Sequence, residues 1–230
     1  MYPPDTLTRE NLREAHSASW QRIAEPGSFC RGSERVSMVA EARTALACSL
    51  CAERKAALSP SVSGDHQSAT DLDPVMIDAI HRMRTDPGRL TKSWFDAVIA
   101  GGVSQQAYVE MVSVVNSSVI IDTLHRALGL DLPELPTAIE GEPSGDYNVD
   151  AVDDGAWLPV LAAEQVVKAE TRMPTAPYIG RAMGLVPSAV ALFFQTFRPH
   201  YALVDIPLAL SQAQAEFIAA RTSALNECFY

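Results

Sequence analysis

SQQAYVEMVSVVNSSVIIDTLHRALG, residues 104–129, decides the fold class. Val112, Val114, Val115, Val119, Ile120 and Ile121 favour a strand by intrinsic preference, because a branched Cβ crowds the preceding helical turn. Length and punctuation argue the other way. The run is far longer than an ordinary strand. Ser104 can cap its start by accepting from a backbone N–H, and Gly129 can end it in a left-handed turn. The segment therefore reads as the longest helix of the chain, from Ser104 to about Leu128.

The same punctuation recurs on either side. Upstream, Thr91 caps a short helix with Trp94, Phe95, Val98 and Ile99, closed by Gly101-Gly102. Asp73-Pro74 is a cap followed by a first-turn proline, opening a helix with Met76, Ala79, Ile80 and Met83 inward. Residues 59–72, rich in Ser, Asp and Gly, form a loop. Thr8 can cap a helix through Leu12, Trp20 and Ile23, and Ser33 one through Val36, Val39 and Leu46. Cys48-Ser-Leu-Cys51 leads into a further helix over 52–58. Downstream, residues 157–169 are expected to be helical, followed by two short helices split near Gly184 and Pro187. Ser211-Gln-Ala-Gln214 is a capping box whose helix runs on to Cys228. No alternating strand pattern appears, so the fold class is all-α.

The chain has 230 residues, 28 acids against 18 bases, and 47% hydrophobic residues, enough for a real core. Its net charge of −10 is local. Eight acids lie in residues 131–155, where no Lys or Arg occurs; without them the balance is 20 acids against 18 bases. With Pro133, Pro136 and Pro143 and no periodicity, this segment reads as an acidic linker. It separates a helical core over 1–130 from a helical part over 156–230. Clustered Lys and Arg are absent, which argues against a nucleic-acid partner. No unbroken apolar run reaches about 18 residues, so no membrane span is expected. Nor does the N-terminus have the basic and apolar regions of a signal peptide, and a cytoplasmic protein follows by default.

Cys48 and Cys51 are the sharpest chemical signal. A C-x-x-C at a helix start puts both sulfurs where the helix dipole and free N–H groups stabilise a thiolate. Three readings stay open: inert core thiols, a redox pair that closes a disulfide, or half of a metal site. Zinc needs two more ligands. Cys30 and His66 are available, but intervening gaps of 17 and 14 residues match no compact zinc module. No metal and no cofactor is therefore expected.

Residues 85–133, TDPGRLTKSWFDAVIAGGVSQQAYVEMVSVVNSSVIIDTLHRALGLDLP, closely resemble the last part of AhpD-like, peroxidase-related proteins of the carboxymuconolactone decarboxylase superfamily. There a C-x-x-C helix precedes a loop, a "DPG-L" helix, an "aGvs" turn and a long helix ending "aLGv-lP". The resemblance covers about residues 33–136. Leu185-Val-Pro-Ser188, Phe193-Phe194, residues 210–216 and residues 223–230 are similar to the first part of the same family. Its bundle would then be present here in permuted or tandem form, with 157–230 packed on 33–136 in the permuted case.

The resemblance implies a thiol-dependent alkylhydroperoxidase-like antioxidant enzyme, an oxidoreductase with a peroxide substrate, a dithiol reductant and a homo-oligomeric state. It implies that Cys51 attacks peroxide and Cys48 resolves it. The family places a histidine four residues after the second cysteine and a glutamate twelve before the first; here those positions hold Lys55 and Val36. Glu34, Glu41 and His125 are the substitute relay candidates. Glu216 lies twelve residues before Cys228, the relay spacing of the family, which makes these two a second half-site. The departures at Lys55 and Val36 also admit a non-catalytic oligomeric scaffold of the same fold, and the superfamily admits a decarboxylase-like lyase.

Overall fold

A computed structural model describes residues 1–166, 178–201 and 209–225. Its helices are α1 Glu10–Ala24, α2 Gly32–Thr44, α3 Ser49–Ala56, α4 Pro74–Thr85, α5 Lys92–Ala100, α6 Gln105–Ala127, α7 Tyr178–Met183, α8 Pro187–Phe197 and α9 Gln212–Leu225. Among the described residues there is no strand, only an isolated bridge between Val152 and Val160. The chain is all-α.

Three helix starts follow the sequence punctuation. The side chains of Asp73, Thr91 and Ser104 accept from the backbone N–H groups of Val75, Trp94 and Ala107. At Ser211 the reciprocal box forms: the Ser211 N–H donates to Gln214 Oε1, and the Gln214 N–H donates to Ser211 Oγ. Thr8 and Ser33 do not cap. Arg9 and Arg31 occupy the cap positions of α1 and α2. At α2, Glu34 accepts from the Arg31 N–H and takes over that role.

Helix α6 is the hub. It packs on α1, α2, α4 and α8, and its Val114, Val115 and Ile121 are buried between them. Tertiary packing on several faces overrides the strand preference of its branched residues. Among the described residues, α6 alone is long and apolar enough to cross a membrane by length and composition. It nevertheless buries Glu110, Asp122, Ser113, Ser117 and Ser118. Arg43 meets Asp122 through two hydrogen bonds of 2.8 and 2.9 Å, and Arg35 pairs with Glu110 at 3.4 Å. These charges tie α2 to α6. A second apolar cluster, with Phe193, Phe194 and Val190 of α8 against Val109, joins the C-terminal part to the same hub.

The helix expected over 157–169 does not form in its described part. Residues 157–162 run irregularly, and a short 3-10 turn covers Ala163–Gln165. Pro159 is the physical reason, since it lacks an N–H and keeps Leu158 out of the helical region. Residues 167–169, and 226–228 at the end of the helix expected to reach Cys228, lie outside the described residues.

The acidic segment is a strap. Its backbone N–H groups at Ile139, Ser144 and Gly145 donate to the carbonyls of Ala24, Gly27 and Ser28, and Trp20 Nε1 donates to the Glu134 carbonyl. All eight of its carboxylates face solvent.

Candidate functional site

The site grows from the start of α3. Cys48 is the residue before the helix and Cys51 lies in its first turn. The Gln67 side chain accepts from the Ser49 N–H at this open end. Both thiols are free and buried, 2% and 4% exposed. Their cover is residues 59–72, of which Val62 packs on the pair.

Two histidines meet these sulfurs. His66, from the covering segment, brings Nδ1 to 3.5 Å from Cys48 Sγ and 3.6 Å from Cys51 Sγ. His81, on α4, brings Nδ1 to 3.3 Å from Cys51 Sγ. Behind each ring stands a carboxylate. His81 Nε2 donates to Glu41 Oε2 at 3.0 Å, and His66 Nε2 donates to Asp78 Oδ1 at 2.9 Å. The carboxylates orient the two rings so that each Nδ1 is turned to the sulfurs. Glu41 is fully buried and its other oxygen accepts from Ser68 Oγ, the Ala69 N–H and Thr70 Oγ1. Arg54 donates to Asp78 and to the Val62 carbonyl, which holds the covering segment down.

The two thiols are not equivalent. Burial works against the Cys48 thiolate, but the Cys51 backbone N–H, His66 and the Gln67 backbone outweigh it and bring its pKa down to about 6. Burial, and then the neighbouring Cys48, push Cys51 up to about 11. For His66, burial opposes the charged ring, yet Asp78 and Cys48 prevail and raise its pKa. Burial likewise opposes ionised Glu41, and its donors from Thr70, His81, Ser68 and Ala69 overcome that and hold the carboxyl low.

No family model, curated protein or solved structure matches the chain. The likeness to AhpD-like proteins therefore rests on the quoted residues alone.

Of the residues picked out from the sequence, the structure brings Cys48, Cys51 and Glu41 together. Lys55 is not in this cluster, and Glu34 caps α2. His125 sits elsewhere: its Nδ1 donates to the Asp131 carbonyl and its ring lies against Tyr2. Glu216 accepts from Tyr201 and Gln212, not from any group of the cysteine cluster. Cys228 lies outside the described residues. The sequence spacing showed no compact zinc module, yet the structure groups Cys48 and Cys51 with His66 and His81, a set of donors that could hold a metal ion, whereas Cys30 packs in the main core near Glu110. A linear gap says little once α4 folds back against α3. His81 and Asp78 went unread. The available signal was position, since His81 stands one helical turn after Ile77 on a face that packs inward.

Proposed function

We propose that the protein is a thiol-dependent oxidoreductase that reduces peroxides at Cys48 and Cys51 and is returned by a dithiol reductant. One observation carries this reading: each thiol faces an imidazole Nδ1 whose opposite nitrogen is held by a carboxylate. Two proton-transfer units, His66–Asp78 and His81–Glu41, thus serve two sulfurs. The roles differ from those the resemblance implies. Cys48, with the lower pKa, attacks, and Cys51 resolves.

The Cys48 thiolate attacks the terminal oxygen of ROOH. The O–O bond breaks, Cys48 becomes a sulfenic acid, and the leaving alkoxide takes a proton from His66 to give ROH. His81 then accepts the Cys51 proton, with the Glu41 carboxylate stabilising the charged ring. Cys51 displaces hydroxide from Cys48, and His81 returns its proton to give water. Two thiols and ROOH become a disulfide, ROH and H2O. A reducing, cytoplasmic setting would keep the resting pair as thiols.

Peroxide consumption by reduced, metal-free protein tests the reading. Cys48→Ser is expected to abolish turnover. Cys51→Ser is expected to stop after one equivalent, leaving a sulfenic acid that dimedone traps. Equal slow consumption by wild type and Cys48→Ser would remove the reading. The burial of both sulfurs favours a second one, a non-catalytic helical scaffold in which the pair is structural. It expects no peroxide-dependent change at either cysteine.

A further inference from the structure

We propose that Cys48, Cys51, His66 and His81 form a four-coordinate site for a zinc-class divalent cation. The inference does not depend on the peroxide chemistry of the same side chains. Their four donor atoms lie within 4.8 Å of one another. The sulfur–nitrogen separations of 3.3, 3.5 and 3.6 Å are the decisive geometry. Zn–N bonds of roughly 2.0–2.1 Å and Zn–S bonds of about 2.3 Å, set at tetrahedral angles, put neighbouring N and S donors about 3.6 Å apart. The three contacts are thus close to the edges of a ligand tetrahedron.

The surroundings fit as well. A histidine that ligates through one nitrogen needs a partner on the other, and carboxylates commonly fill that place. Both rings have one, Glu41 for His81 and Asp78 for His66. Glu41 is in turn fixed by Ser68, Ala69 and Thr70, which orients the ring behind it. Two thiolates and two imidazoles select zinc, or cobalt in its place, over magnesium and calcium, which prefer oxygen. All four positions are protein side chains and both sulfurs are buried, which describes a closed site rather than an open catalytic one.

The ligands come from α3, the covering segment and α4. Polar bonds from Arg54 and Gln67 already join them, but the apolar cluster at the pair is small, with Cys48, Leu50, Cys51 and the partly buried Val62. A bound ion would pin residues 59–72 over α3 and occupy both sulfurs. The metal-bound dithiolate would then be a protected state of the pair, and the metal-free protein its peroxide-reactive state.

The test uses full-length protein, reduced and stripped with a chelator. Co2+ is added first, as a spectroscopic probe, and Zn2+ is then titrated in competition with a chromophoric chelator. Binding of one ion per chain is expected, with the intense visible bands of tetrahedral Co2+ and a thiolate-to-cobalt charge-transfer band. His66→Ala, on the covering segment, is expected to weaken Zn2+ at least 100-fold while circular dichroism shows the helices intact. Asp78→Asn should weaken it about 10–100-fold, the usual cost of losing a carboxylate behind a ligating histidine. An octahedral Co2+ spectrum, no competition with the chelator, or wild-type affinity in His66→Ala would overturn the site. Peroxide consumption by the stripped protein is scored separately, so either proposal can fail without the other.

Discussion

At the residue scale, the difference between Cys48 and Cys51 comes from their positions three residues apart on one helix start. Cys48 accepts from a backbone N–H and from His66, which outweigh its burial, while at Cys51 burial and the neighbouring Cys48 both work against the thiolate. Iodoacetamide should therefore label Cys48 first in metal-free protein. The thiolate that reacts is favoured as pH rises through about 6, so the Cys48 rate should be near its plateau at pH 7. Preferential labelling of Cys51, assigned by peptide mapping, would reverse the roles. The proton relay makes a different prediction. His81→Gln should slow disulfide closure by about 100-fold, a typical general-base contribution, while the first attack by Cys48 stays close to wild type. Rapid-quench trapping of the sulfenic acid separates the two steps. Cys48 and Cys51 were legible from their spacing at a helix start, and Glu41 as a substitute relay candidate on the preceding helix. His66 was named only as an available ligand and set aside on spacing, and His81 and Asp78 went unread, because all three meet the sulfurs only through the packing of α4 on α3 and the closure of residues 59–72.

At the element scale, boundaries were legible wherever a side chain supplies the missing acceptor. Asp73, Thr91, Ser104 and Ser211 all start helices as their residue types require. Asp73→Ala should cost about 1 kcal/mol in chemical denaturation, with the midpoint shifted and the slope unchanged. The helix expected from 157 does not form because Pro159 has no N–H to give and keeps Leu158 out of the helical region, so the backbone obeys the proline. What joins the elements was less visible. The turn between α1 and α2 is pinned by Glu110 of α6, which accepts from the Phe29 N–H at 2.7 Å and pairs with the buried Arg35. A side chain at Gly27 would overlap that carboxylate. Glu110→Ala should therefore cost about 3–5 kcal/mol, since it leaves the Arg35 charge buried without its partner. A loss below about 1 kcal/mol by urea denaturation would show that the pair is dispensable.

At the scale of the whole molecule, the N-terminus, α1 and the end of α8 meet in a half-buried chain of polar rings centred on the buried His16. Tyr2 Oη donates to His16 Nδ1 at 2.5 Å, and His16 Nε2 meets His200 Nε2 at 2.7 Å. The two imidazoles can share only one proton there. Burial, then His200 and His125, lower the His16 pKa to about 3, and burial, then Arg9, lower that of His200. The unfolded chain takes up a proton at His16 near pH 6.5 that the folded chain refuses, so this stability is complete above about 6.5 and is lost as pH falls toward 3. Denaturation midpoints should decline across that window by up to ~1.4 kcal/mol per pH unit for this group, and His16→Gln should flatten the decline. Eight of the acids behind the charge of −10 lie on the solvent side of a strap and have no part in the site. The proposed chemistry rests on two cysteines under residues 59–72. Treating reduced, metal-free protein with one equivalent of peroxide, quenching with an alkylating agent and mapping the peptides by mass spectrometry tests this most directly. A Cys48–Cys51 disulfide formed in step with peroxide loss is the expected result, while two alkylated, unoxidised cysteines with the peroxide unconsumed would contradict it.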